Sequence, residues 1–166
     1  IYDAKGKLVK KHVRSLELTP QGMQSYTASF QLKRPHLWQG RKDPYLYKVV
    51  SRLKQEGRVI DEVVQPLGIR KYEIVAGKGF FLNGEPLKFR GVCNHHDLGP
   101  LGGVSNEAGI RRQIRMLKDM GCNAIRTSHN MPSNELIAAC DEMGMMVMAE
   151  SFDEWKSAKV ENGYHK

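Results

Sequence analysis

Gly121-Cys-Asn-Ala-Ile-Arg-Thr-Ser-His-Asn-Met-Pro132 precedes a helical pattern, and Gly144-Met-Met-Val-Met-Ala-Glu-Ser-Phe-Asp-Glu-Trp155 follows it. The first piece reads as a short buried strand over residues 122–125, whose far end carries Arg126, Thr127, Ser128 and His129. Pro132 and Ser133 open a helix with Ser133 as N-cap, and Leu136, Ile137 and Cys140 are spaced for one apolar face. Gly144 closes that helix. Residues 145–148 then form a second apolar strand that again ends in polar side chains, Glu150 and Asp153. Strand, helix and strand, with ligand-type side chains where the strands stop, is how a parallel α/β sheet builds a site.

The same unit recurs one step upstream. Asp119-Met-Gly121 ends a helix with Ile110, Ile114 and Leu117 at i, i+4, i+7 and Arg111, Arg112 and Arg115 outside, much as Glu142-Met-Gly144 ends the next one. Repeated strand–helix units imply a parallel sheet. The strand before this helix is expected over residues 89–93, ending in Asn94-His95-His96-Asp97. Between them, residues 98–105 form a glycine-rich turn without the Gly-Lys-Ser/Thr of a phosphate loop. Asn83-Gly84, flanked by residues 80–82 and 86–90, is the strongest hairpin signal in the chain, because both turn positions tolerate positive φ.

Residues 1–72 read as β. Tyr26, Ala28, Phe30 and Leu32 alternate over one expected strand and Tyr45, Tyr47 and Val49 over another. Glu56-Gly57 then turns the chain into a partner strand over 58–65. Residues 8–18 are mixed and 35–44 form a loop. Four or five strands without helices suggest a β-sandwich, which needs about seven. Ile1-Tyr2 already reads as the interior of a strand, so the chain is expected to begin inside this domain. Residues 68–79 carry the boundary, dividing the chain into 1–72 and 73–166.

The formal charge of +8 raises the question of an anionic partner, and its placement answers it. Residues 1–72 carry 15 Lys and Arg against 6 Asp and Glu, whereas residues 73–166 carry 11 against 12. The excess is dispersed over strand-like segments without stacked aromatics or phosphate-binding loops, which favours a solvated face over a nucleic-acid partner. No run of 18 apolar residues exists, so no membrane-spanning helix is expected. Cys93, Cys122 and Cys140 lack C-x-x-C spacing and lie in apolar patterns, which reads as three buried free thiols. Met143, Met145, Met146 and Met148 read as core filling.

Asn123-Ala-Ile-Arg-Thr-Ser-His129, with Pro132, Asp141-Glu-Met-Gly144 and the apolar run into Glu150, resembles the signature of glycoside hydrolase family 2, which contains β-galactosidases, β-glucuronidases and β-mannosidases. The spacing Pro35-His-Leu-Trp38 to Pro44-Tyr-Leu-Tyr47 likewise looks like the immunoglobulin-like domain that precedes the barrel in that family. The resemblance implies an α+β chain in two parts: a partial immunoglobulin-like β-sandwich, then the first three β-strands and two helices of a (β/α)8 TIM barrel. A whole barrel takes about 250 residues, so a fragment of a β-galactosidase-like retaining glycosidase is expected; resemblance favours the periplasm or exterior of a bacterium and leaves the cytoplasm open. Stopping after three strands would leave an open edge and uncover apolar faces around Val92, Ile125 and Val147, inviting self-association through residues 145–148.

Retaining glycosidases work with two carboxyl groups about 5 to 5.5 Å apart. By resemblance these are glutamates after the fourth and seventh barrel strands, so both are expected beyond Lys166 and the isolated chain is expected to be inactive. Asn106-Glu107 and Asn134-Glu135 look like the acid/base pair but fall in first helical turns, where an acid complements the helix dipole. His95 and His129 match histidines that hydrogen-bond sugar hydroxyls, and Arg126 matches an arginine that keeps the nucleophile ionised. Asp97, Asn130, Glu150 and Asp153 are further candidates for carbohydrate binding. Ala149 stands where family members commonly have Asp, which puts that residue's role in doubt. By resemblance, Glu154 matches the Glu that some β-galactosidases use for a divalent ion, but Lys156 stands near the place of their second ligand, a His, so neither a metal nor a cofactor is expected. Trp155 could stack on a sugar or simply pack. Two other readings compete: a TIM-barrel metal hydrolase using His95, His96, Asp97 and His129, and a non-catalytic carbohydrate-binding module.

Overall fold

The computed structural model describes residues 1–17 and 21–163. Leu18, the end of the segment read as mixed, lies outside the described residues, as do the last three residues of the expected second domain. By packing, the chain divides into two compact units, Ile1–Leu37 with Tyr45–Ile69 and Trp38–Pro44 with Arg70–Lys166.

The first unit is built on one hairpin. Strands β1 (Tyr47–Gln55) and β2 (Arg58–Leu67) pair antiparallel from Tyr47 opposite Leu67 to Gln55 opposite Arg58, with a bulge between Leu53 and Lys54. Glu56 and Gly57 both have positive φ, 49° and 81°, the backbone that matches a two-residue turn to strand twist. Tyr2 bridges to Lys48 at the other end. Among the described residues this hairpin and isolated bridges replace the four or five strands expected. The alternation of Tyr26, Ala28, Phe30 and Leu32 does not become a strand, because among the described residues no segment forms a ladder with its backbone. Tyr26 lies under the Arg14 guanidinium at 5.2 Å instead, and Phe30 meets the His12 ring edge-on at 5.8 Å.

The second unit opens with a small antiparallel sheet, β3 (Tyr72–Val75), β4 (Gly79–Leu82) and β5 (Glu85–Pro86). Asn83 and Gly84 turn β4 into β5 at φ 52° and 84°, as their chemistry demands. Two details differ from expectation. β3 lies within the stretch read as a boundary, and the second hairpin arm is two residues long rather than five.

Three parallel strands follow: β6 (Gly91–His95), then helix α1 (Glu107–Asp119), β7 (Ala124–Ser128), helix α2 (Asn134–Met143) and β8 (Met146–Met148). Asn106 caps α1 by accepting from Gly109 N at 2.9 Å, and Ser133 caps α2 by accepting from Leu136 N at 3.2 Å. Gly144 ends α2 in the left-handed conformation at φ 76°. β7 starts and stops later than residues 122–125, since its ladder with β6 continues to His95 opposite Ser128. Arg126, Thr127 and Ser128 are therefore strand residues rather than a polar tail.

Strand alternation sorts the two faces of this sheet. Ile125 is fully buried with Ile110, Ile114, Leu136, Ala139, Cys140 and Met145, and Val92 and Val147 pack against that cluster. The expectation that Val92, Ile125 and Val147 would be uncovered is thus corrected: they face α1 and α2. The other face is the exposed one, carrying Cys93, His95 and a 61% exposed Met148. Cys93 is consequently not a buried thiol and Met148 not core filling.

Trp38–Pro44, read as a loop, is built into this second unit. Trp38 is 2% exposed and donates its indole N–H to the Asp141 carbonyl at 2.8 Å, with the Arg70 guanidinium 5.3 Å above its ring. Arg41 donates to the Cys122 carbonyl at 2.7 Å. Gly40 lies so close to Gly144 that a Cβ on Gly144 would run into the Gly40 carbonyl. The segment thus packs on the turn leaving α2 and the turn entering β7.

Candidate functional site

The uncovered sheet face gathers charge. Register places Cys93, Arg126 and Met148 side by side, with His95 and Ser128 in the next row toward the strands' C-terminal ends. Arg126 Nε forms an ion pair with Glu150 Oε1, while Nη1 donates to Cys93 Sγ at 3.2 Å and Nη2 lies 3.4 Å from His129 Nδ1. His129 Nδ1 is 2.8 Å from Glu150 Oε2. A carboxylate only accepts, so Nδ1–H donates to it, and in the neutral tautomer that leaves Nε2 as the acceptor. The Glu150 backbone N–H donates to Thr127 Oγ1 at 3.0 Å, which anchors the chain just beyond β8 to a buried residue of β7. The His95 ring stands edge-on to His129 with centroids 5.6 Å apart.

Partial burial pushes the Glu150 carboxyl up, but the His129 hydrogen bond and the charge and hydrogen bond of Arg126 outweigh it, leaving the group below its ordinary value. The sign of the resulting stability term follows. A lowered carboxylate contributes stability that is fully present above its unfolded pKa and is lost as pH falls through the folded one. Urea midpoints measured from pH 6 downward should therefore fall through the acid range less steeply in Glu150→Gln than in the native chain. Equal slopes would show that the ion pair does not hold the segment.

The structure brings together His95, Arg126, His129 and Glu150. Asp97 and Asn130 line a groove beside His95, shared with Asn94 and Thr127, and Asp97 Oδ1 is also engaged by the Gly99 N–H in its own turn. Asp153 does not line that groove; it sits partly buried on the irregular segment after Glu150. His96 turns to the Gly103 carbonyl at 2.7 Å. Among the described residues, no three His, Cys, Asp or Glu side chains converge as metal ligands would. Glu154 is buried at 6% exposure and accepts from Lys159 N, whereas Trp155 is 70% exposed and edge-on to Phe152. Glu107 sits in the first turn of α1 and pairs with Arg111, as its helical position suggests. Sequence reasoning missed Cys93 and Thr127. The signal for Cys93 was period two, since a residue two before His95 shares its face.

Comparison with known proteins bears on what this cluster serves. The model of the glycosyl hydrolases family 2 TIM barrel domain matches residues 74–164, and a second glycosyl hydrolases family 2 model matches residues 1–70. The chain belongs to glycoside hydrolase family 2. It is 42% identical over 164 residues to a β-galactosidase of Bacteroides ovatus, covering 99% of this chain and 19% of that protein. A solved structure from Bacteroides fragilis superposes with a TM-score of 0.87 at 51% identity, over 90% of this chain and 22% of the other. A β-glucuronidase of Ruminococcus gnavus, solved with D-glucuronic acid, gives 0.75 at 28% identity over 90% of this chain and 24% of its own. The chain thus spans about a fifth of the length of the family 2 relatives it matches.

Proposed function

We propose that this chain is part of a retaining family 2 glycosidase, most similar to the β-galactosidases, and that it supplies sugar-binding and charge-holding groups rather than the two catalytic carboxylates. The observation that carries this reading is the Arg126–His129–Glu150 cluster, beside His95, at the C-terminal ends of parallel strands. In such sheets that end is where sites form. Residues 1–72 are assigned to an immunoglobulin-like part and 73–166 to the first three strands and two helices of a barrel, with Trp38–Pro44 packed into the latter.

The roles follow from donor and acceptor chemistry. His129 Nε2, able to accept once Nδ1 donates to Glu150, receives a hydrogen bond from a sugar hydroxyl. His95 supplies a second imidazole that can both donate and accept. Asp97 and Asn130 extend the polar lining, and Asp153 is assigned a sugar contact from the segment after Glu150, outside that groove. Arg126 is a fixed cation that favours the ionised form of any carboxylate brought beside it. The two glutamates, about 5 to 5.5 Å apart in retaining enzymes, come from other segments of the longer polypeptide.

The test compares the longer polypeptide with the 166-residue chain on p-nitrophenyl β-galactoside. Turnover by the former and none by the latter is expected. Turnover confined to p-nitrophenyl β-glucuronide would replace the sugar, and none by either would sink the enzyme assignment. The open edge at β8 is one that further strands, or a second copy, would pair with. Sedimentation of the 166-residue chain should show association, and a stable monomer would show that this edge needs no partner.

A further inference from the structure

Of the three partners that Arg126 meets, Cys93 is the one that neither the charge nor the sugar chemistry of the site requires. We infer that Cys93 is a positioning residue, its sulfur receiving the Arg126 Nη1–H and thereby fixing the plane in which the guanidinium faces Glu150 and His129. This rests on the reading of the cluster as a glycosidase rim.

A guanidinium carries five N–H donors in one rigid plane, so a single ion pair leaves it free to swing, whereas a second fixed acceptor sets its orientation. Packing cannot do that work here, because the Arg126 side chain is 38% exposed. The β6–β7 register does. Cys93 is paired with Arg126 across the ladder and both side chains emerge on the same face. Nε is committed to Glu150 and Nη1 to Cys93 Sγ at 3.2 Å, which turns Nη2 toward His129. The approach of β6 to β7 that permits this is close. A Cβ on Gly91, two residues before Cys93, would meet the Ala124 carbonyl oxygen at 2.5 Å. The hydrogen bond from Arg126, with the Ser128 hydroxyl beside it, also lowers the Cys93 thiol from its ordinary value, and a thiolate accepts better than a thiol. Burial pushes Cys140, by contrast, up to about 12.

Iodoacetamide alkylation of the 166-residue chain, read at each cysteine by mass spectrometry across pH, tests the contact without reference to turnover. The thiolate displaces iodide and forms the S–C bond, so the rate reports the ionised fraction. Buried Cys122 and Cys140 serve as the control that the fold is intact. Cys93 should react at lower pH than an ordinary thiol, and Arg126→Gln should slow it severalfold at neutral pH with Cys122 and Cys140 still protected. An unchanged Cys93 profile in Arg126→Gln overturns the inference. In the longer enzyme, Cys93→Ala should lower kcat more than it raises KM and shift the acid limb of the pH–rate profile upward, with Cys93→Ser recovering most of both. A Cys93→Ala enzyme with an unaltered profile also overturns it. Absence of glycosidase activity in the unsubstituted enzyme would refute the proposed function but leave the alkylation result standing.

Discussion

Arg126→Met in the longer enzyme is expected to lower kcat/KM by about 10- to 1,000-fold on the acid limb of the pH–rate profile, the largest functional effect of any single change in this chain. An opposite charge within hydrogen-bonding range lowers a carboxyl pKa by about 1 to 3 units, and each unit is tenfold in the ionised fraction wherever the pH lies below that pKa. Arg126 already shows this behaviour toward Glu150, which it helps hold below the ordinary carboxylate value. Methionine keeps much of the side-chain length and loses the charge. The acid limb of the pH–rate profile should move upward while KM changes less than kcat. An Arg126→Met enzyme that loses only affinity, with its pH profile in place, would show that Arg126 binds sugar and does not maintain ionisation.

Trp38→Ala should destabilise the second unit by about 3 to 5 kcal/mol, the usual range for emptying a buried indole-sized site. Trp38 is 2% exposed and stands among the largest fully buried side chains of the chain. Trp38→Phe separates the two contributions. It keeps most of the ring but leaves the Asp141 carbonyl without the indole N–H, a loss of about 1 to 3 kcal/mol if water cannot reach it. Urea unfolding followed by exchange of the Ile114 and Ile125 amides is the measurement. If both variants unfold with the native midpoint, the Trp38–Pro44 segment merely rests on this unit and contributes nothing to it.

Legibility in the sequence followed the range of the interaction involved. Caps and turns are local, so Ser133, Gly144, Asn83-Gly84 and Glu56-Gly57 were all readable from residue chemistry. Parallel pairing was readable too, because the helix-to-strand unit repeats. Strand ends were not, since β7 runs to Ser128 only because β6 is there to pair with it. The same dependence removed the strand expected at Tyr26 to Leu32, where the alternation exists but no described segment pairs with it. At the site, the motif singled out His95, Arg126, His129 and Glu150. The acceptor Cys93 lies 33 residues from Arg126 and becomes its neighbour only through register. The apolar look of its surroundings concealed that it sits on the exposed face.

The placement of Trp38–Pro44 has an evolutionary corollary. Seven residues encoded in the middle of the first unit's sequence complete the second, where Gly144 tolerates the close Gly40 carbonyl only because it has no side chain in the way. A single crossover near residue 72 between two diverged relatives would therefore deliver a Trp38–Pro44 segment from one parent to an α2–β8 turn from the other. Recombinants of that kind should survive only when the two parents agree at Trp38, Gly40, Arg41 and Gly144, so these positions are bound to be inherited as a set across a junction that otherwise looks like a clean place to exchange domains.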